Sequence, residues 1–275
     1  MQPLTLTDCF KGAWRDTGRV LLKMPVLIFV VFALMLVTEC IRDRLQIAAH
    51  PALDADAMSR GRSALLVLFS FGAFILTAIV SAILSVRVIR YALFGDASRS
   101  RDGALGRYIL LMLIAFGGIL AFLLALIVAA AVLIHTVKSS GAIRDLSYGV
   151  LGSYGAVYLL ALCLIAFVWT RLSLLFPHTA AGGKIRWRSA WQDTRGHFWV
   201  MIVTFGLTIL PIMIVSVVLG YVRLYALRQL DVSGLTYDIA TFLSTAATVL
   251  SMITGAACSA WVYRRFATAL QQPVT

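Results

Sequence analysis

This chain of 275 residues is poor in charge: 13% of its residues are Asp, Glu, Lys or Arg, while 61% are apolar. A soluble domain carries about a quarter charged residues, so the composition excludes an ordinary soluble fold and points to the membrane. Acids are scarcest, and Glu39 is the only glutamate. General acid–base catalysis needs positioned titratable groups, and a proton-coupled carrier needs carboxylates inside the membrane. Neither is visible. Cys9, Cys40, Cys163 and Cys258 form no CxxC pair. They read as small packing residues, not as a disulfide framework or zinc site. His50, His135, His178 and His197 lack metal-ligand spacing such as HExxH, and no GxSxG, P-loop or dinucleotide fingerprint occurs in the right context. These absences argue against an enzyme and call for no metal or organic cofactor. The formal net charge is +12, but the basic residues are spread over short loops. No groove-sized basic domain for nucleic acid results.

What the chain does have is long uncharged runs, at 24–38, 63–86, 108–137, 146–170, 196–222 and 239–263. About 20 apolar residues rising ~1.5 Å each cross a hydrocarbon core of ~30 Å. The first run is short, but Cys40 and Ile41 extend it past Glu39, and Lys23 can snorkel to the headgroups. A membrane barrel would show short segments of alternating polarity, and these runs are continuously apolar. The expectation is an all-α integral membrane protein with six transmembrane helices in one domain over 1–275. Residues 1–23 are too charged to be the apolar part of a cleavable signal peptide.

Basic residues set the expected orientation. If six helices alternate, Lys11, Arg15, Arg19, Lys23, Arg87, Arg90, Arg99, Arg101, Arg107, Arg171, Lys184, Arg186, Arg188, Arg195, Arg264 and Arg265 share one side. The smaller set is Arg42, Arg44, Arg60, Arg62, Lys138, Arg144, Arg223 and Arg228. Lys and Arg favour the cytoplasmic face, so both termini are expected in the cytoplasm. A basic, Trp-bearing inner face also suits the anionic lipids of the cytoplasmic leaflet.

Two stretches echo one another: "FKGAWRDTGRV" at 10–20 and "WRSAWQDTRGH" at 187–197. Ala13, Trp14, Asp16 and Thr17 fall on Ala190, Trp191, Asp193 and Thr194, and Phe10 falls on Trp187. Positions 10, 13, 14 and 17 share a helical face, with Lys11, Arg15 and Arg19 opposite. The second copy carries Arg188 and Arg195, and Trp199 follows. Each stretch therefore reads as a short amphipathic segment in the cytoplasmic interface, its aromatic face in lipid. Asp16 and Asp193 read as cap or surface-pairing groups. The even-numbered spans end "VIRYALF", "VWTRLSLLF" and "WVYRRF". In each, an Arg among aromatics (Arg90, Arg171, Arg264) reads as an anchor at headgroup level. The chain then divides into three hairpins, roughly 1–95, 96–180 and 181–275, the middle one divergent.

Small residues recur every four positions: Ala73, Thr77, Ser81 and Ser85; Gly117, Ala121, Ala125 and Ala129; Ala247, Ser251, Gly255 and Ser259. Such stripes let helices approach closely. They are expected to pack within the bundle, with a homo-oligomer or membrane-protein partner as the other use. Gly206 and Pro211 predict a kink in the fifth span. Glu39, three residues before Arg42, reads as a surface ion pair.

The segment "RLSLLFPHTAAGGKIRWRSAWQDTRGHFW" at 171–199 resembles a group of bacterial inner-membrane proteins. These are the membrane domain fused to some glycerophosphodiester phosphodiesterases and related stand-alone six-helix proteins of unknown function. The matching positions are Arg171, Pro177, Ser189 or Ala190, Thr194, Arg195, Gly196, Phe198 and Trp199. The acidic residue usual after the proline is replaced by 178–183, and the acidic metal ligands of the phosphodiesterase domain have no counterpart. The resemblance implies a bacterial inner-membrane location and a non-catalytic module. The expected role is a non-enzymatic accessory protein that binds anionic lipid or supports a larger membrane complex. The alternative is a small-molecule or lipid transporter subunit with a cavity near the Pro211 kink.

Overall fold

A computed structural model describes residues 6–49, 56–95, 103–139, 148–228, 235–268 and 270. His50, Arg99, Arg101 and Arg144 lie outside the described residues. Among the described residues there is no strand. The helices are α1 (Leu6–Lys23), α2 (Pro25–Ala49), α3 (Asp56–Phe94), α4 (Ala104–Ser139), α5 (Tyr148–Leu172), α6 (Leu175–Ala180), α7 (Trp187–Thr194), α8 (Phe198–Arg228) and α9 (Leu235–Phe266). Six segments are long and apolar enough to cross a membrane: Pro25–Leu45, Val67–Phe94, Ala104–Leu126, Leu159–Ala180, Phe198–Arg223 and Leu235–Phe266. In hydrocarbon every backbone N–H and C=O must be satisfied within the segment, which leaves such runs only the helix. The chain is a multi-pass membrane protein.

The bundle is built around its last helix. α9 packs on α8, α3, α1 and α2, in decreasing extent. Ile253, Ala257, Cys258, Ala260 and Val262 on α9 are fully buried, as are Leu84 and Val88 on α3, Val20 on α1 and Met201 on α8. Alanines at this density let four neighbours approach one helix. α2 packs on α3 and α8 on α9, but α4 and α5 barely touch; α4 lies on α6 and α3, and α5 on α7 and α8. The middle unit is thus splayed open, unlike the packed hairpin of the sequence reading. Only 11% of the α4 span is buried, so most of its surface is left for lipid.

α6 was not foreseen. All six of its residues are buried, and it plugs the end of the bundle between α4, α3 and α9. It stops in a Schellman cap: Gly183 N–H donates to His178 O at 2.9 Å and Gly182 N–H to Thr179 O at 3.0 Å. Gly182 takes φ +97°, which only glycine adopts without strain. At the other break, Pro25 begins α2 directly after α1, where its missing N–H costs nothing.

Candidate functional site

The echoed segments are docking elements. Cys9, Ala13, Thr17 and Val20 are buried along α1, an i, i+4, i+8, i+11 stripe on a helix that packs against α9. Phe10 is exposed and Trp14 half-buried, so the buried face is the small-residue face, not the aromatic one. Asp16 is only 6% exposed, and its Oδ2 accepts from Trp261 Nε1 at 2.8 Å. Arg15 and Arg19 approach its Oδ1 at 3.9 and 3.7 Å from solvent. In α7 the equivalent Asp193 is 7% exposed. Its Oδ1 accepts from Thr268 Oγ1 and its Oδ2 from the Leu270 N–H, both at 2.9 Å. The threonines match too: Thr17 Oγ1 donates to Ala13 O at 2.8 Å and Thr194 Oγ1 to Ala190 O at 3.0 Å. A buried carboxylate persists only where donors replace its water. The surface pairing expected of Asp16 is present in Arg15 and Arg19, but both aspartates are buried, and each also ties its helix to α9 or to the residues just after it.

The three arginines read as headgroup anchors are helix-end clamps instead. Arg90 is buried and its Nε donates to the Ala180 carbonyl, at the end of α6, at 2.7 Å. Arg264 Nη2 donates to Leu93 O at 2.8 Å and also to Ala92 O, at the end of α3. Arg171 Nη1 donates to Thr194 Oγ1 at 3.1 Å and Trp191 O at 3.3 Å, at the end of α7. Its guanidinium also lies 4.9 Å from the Phe167 ring centroid and 4.8 Å from that of Trp191. The last carbonyls of a helix lack intrahelical partners and carry partial negative charge. A guanidinium from a neighbouring helix satisfies both needs. Of the other residues expected at the lipid interface, Arg15, Arg19, Arg188, Trp191, Arg195 and Trp199 are exposed, Trp199 by 73%.

The small-residue stripes divide. Ser251, Gly255 and Ser259 face the bundle interior from α9, and a Cβ on Gly255 would meet Ile209 at 3.7 Å. Gly117, Ala121 and Ala125 are exposed on α4, and nothing lies within 4 Å of a Cβ placed on Gly117. The packing role expected of the α4 stripe within the chain is not what the structure has.

Where α4 and α5 part, a cavity of about 270 Å³ opens. Tyr108, Phe116, Trp169, Phe176 and Phe205 form an aromatic wall, while Ser85, Ser173, Ser251 and Ser259 supply hydroxyls. The rings meet edge-on or tilted: Tyr108–Phe176 at 5.5 Å, Trp169–Phe176 at 5.7 Å and Phe116–Trp169 at 6.1 Å. Three of the serines donate to their own helix or turn, Ser173 to Thr170 O, Ser251 to Thr248 O and Ser259 to Ala256 O. Among the described residues no charged side chain lines the cavity. Tyr108 and Phe116 stand 4 and 12 residues into α4, so the cavity reaches from about 6 to 18 Å below that helix end. It lies beside Phe205 and Ile209 of α8. Pro211 itself is on the exposed side of that helix, which continues through it.

A second polar centre stands at the opposite end. Asp43 is buried; Arg223 Nη2 donates to both its oxygens, and Tyr237 OH donates to Oδ2 at 2.6 Å. Arg223 Nη1 also reaches Glu39 at 3.5 Å, and Glu39 holds Arg42. The Glu39–Arg42 pair is thus the rim of a network joining α2, α8 and α9. Among the described residues no three His, Cys, Asp or Glu side chains gather as a metal site. No protein-family model, curated protein or solved structure matches the chain.

Proposed function

We propose that the protein is a non-enzymatic membrane protein that holds a membrane lipid in the aromatic cavity, as an accessory to a larger membrane complex. The observation that carries this reading is the cavity itself: aromatic, lined by no charged side chain among the described residues, and placed where α4 and α5 separate. An acyl chain satisfies such walls, and the serine hydroxyls suit ester oxygens. The neighbouring helix ends bear exposed Arg15, Arg19, Arg188 and Arg195, each worth about 1 kcal/mol beside an anionic surface. We assign this basic end to the cytoplasmic leaflet of a bacterial inner membrane, in accord with the positive-inside rule. The exposed α4 stripe is the face offered to a partner helix. The reading as a transporter remains the second one, supported by the adjacency of the cavity to the Pro-bearing α8.

The test uses a phosphatidylglycerol carrying a diazirine on its acyl chain, in nanodiscs of the full chain. The label should concentrate on Met112 and Met252, which line the cavity. Gly255→Phe, which projects a ring into the cavity, should abolish it while the protein stays folded. Labelling no denser there than on lipid-facing Leu243 would reject the proposal. Movement of the same lipid between leaflets of proteoliposomes, blocked by Gly255→Phe, would assign the transporter reading.

A further inference from the structure

The hydroxyls of the aromatic cavity gather toward its basic end. Tyr108 stands 4 residues into α4, Ser85 lies 9 residues before the end of α3, and Ser259 lies 7 before the end of α9. Ser173 is in the turn between α5 and α6. Met112, Phe116, Ile209 and Met252 line the deeper part. The wholly buried α6 closes that end of the bundle and contributes Phe176 to the wall. The way in is therefore from the side, out of the bilayer, where α4 and α5 barely touch.

The hydrogen-bonding capacity of this polar end is one-sided. A hydroxyl has one proton to give and two lone pairs to accept with. Ser173, Ser251 and Ser259 spend their protons on backbone carbonyls. Tyr108 and Ser85 share a hydrogen bond, which spends one of theirs. These side chains thus keep lone pairs on every oxygen and at most one uncommitted proton. A ligand hydroxyl, which donates, is met as the side chains stand. An ester oxygen is met where a serine turns away from its own helix. A phosphate finds no cation among the described lining residues, and a charge buried without a partner is strongly disfavoured. A phospholipid can therefore lay a chain in the cavity but must leave its headgroup outside.

We infer that the lipid this cavity selects is diacylglycerol, its free hydroxyl donating to the cluster of Ser85, Tyr108, Ser173 and Ser259 oxygens. The inference rests on the lipid reading of this cavity and narrows it. Its volume of about 270 Å³ equals about nine waters' worth of liquid. That is room for the glycerol end and the first carbons of one chain. The rest of that chain and the whole of the second pass out between α4 and α5. A fatty acid is excluded by its carboxylate, and a triacylglycerol has no proton to give.

The experiment places the full chain in phosphatidylglycerol nanodiscs with a trace of one of three photolipids, each bearing the same diazirine on an acyl chain. These are diacylglycerol, its 3-deoxy analogue (a methyl in place of the CH2OH) and phosphatidylglycerol. Labelling of Met112 and Met252 is read relative to lipid-facing Leu243 for each probe. Diacylglycerol should exceed the deoxy analogue by roughly fivefold, the factor that one neutral hydrogen bond supplies. It should exceed phosphatidylglycerol as well. Ser173→Ala combined with Ser259→Ala removes two acceptors and should bring the first ratio toward unity. Equal enrichment of diacylglycerol and its deoxy analogue overturns the inference while leaving the lipid reading in place. So does a preference undiminished in the double variant, or stronger labelling by phosphatidylglycerol. Enrichment of none of the three over Leu243 overturns the lipid reading and the inference together. The comparison of probes in the unaltered protein needs no variant, so a folding defect cannot decide it.

Discussion

Gly12 is a point of close approach between α1 and α9. A Cβ there would stand 2.5 Å from Cε2, 2.6 Å from Cζ2 and 2.9 Å from Cδ2 of Trp261. Non-bonded carbons settle at about 3.5–4.0 Å, so Gly12→Ala drives a methyl about 1 Å into the indole. The ring cannot retreat freely. Its Nε1 is bonded to Asp16 at 2.8 Å, and Arg264 stacks on it at 5.3 Å. Overpacking costs about 1–3 kcal/mol, and a lost hydrogen bond to a carboxylate about 1.5–3 kcal/mol. Against these, Ala gains about 1 kcal/mol over Gly inside a helix. The balance is a loss of about 1.5–5 kcal/mol. Gly18 is the internal control: it lies in the same helix, and a Cβ there meets nothing within 4 Å, so Gly18→Ala should gain up to about 1 kcal/mol. Unfolding in mixed micelles of dodecyl maltoside and dodecyl sulfate, followed by Trp fluorescence, compares the two. If Gly12→Ala unfolds at the same dodecyl sulfate fraction as Gly18→Ala, or later, the packing of α1 on α9 derived above is refuted.

Two further outcomes follow from the clamps and from Cys9. Arg171→Lys keeps the charge but loses the planar fork between Phe167 and Trp191, at a cost of about 1–2 kcal/mol. Opening of α7 should then rise about 5- to 30-fold, read as faster tryptic cleavage at exposed Lys184; an unchanged rate would return Arg171 to a plain headgroup anchor. Burial pushes the Cys9 thiol up from its ordinary 9.0, and hydrogen bonding and charge from Arg265 only partly offset this. The folded state thus holds a proton that the unfolded chain releases. The stability this contributes is whole below about pH 9 and is lost as pH rises through the raised value. Unfolding titrations at pH 8 and 10 should show a steeper decline for the wild type than for Cys9→Ala; equal declines would count against a buried thiol.

The spans were legible because an uncharged run of sufficient length in lipid has only the helix available to it, and 63–86, 108–137 and 239–263 each lie inside one helix. The echo of Asp16 and Asp193 was legible as a pattern, but not its use. Trp261 is 245 residues from Asp16 in the chain, and no local spacing reveals such a partner. The same holds for Asp43, whose donors Arg223 and Tyr237 are 180 and 194 residues away. The aromatic arginines misled for a different reason. An Arg among aromatics at a helix end serves a headgroup or a neighbouring carbonyl equally well, and only the arrival of α6, α7 or α3 beside it decides. The α4 stripe misled because small residues permit close approach without requiring it.

α9, on which α1, α2, α3, α6 and α8 all pack, is made after every one of them. α9 begins at Leu235, whereas α1 begins at Leu6. At a synthesis rate of about 5–20 residues per second, α1 waits roughly ten to fifty seconds for the surface it packs on. During that interval the end of α3 lacks Arg264, and Asp16 lacks the indole that replaces its water. Until α9 is made the chain is therefore inserted but incompletely assembled, open to membrane proteases and to wrong pairings. A stop codon or bulky fusion before residue 266 would be felt along the whole chain, not at its end alone.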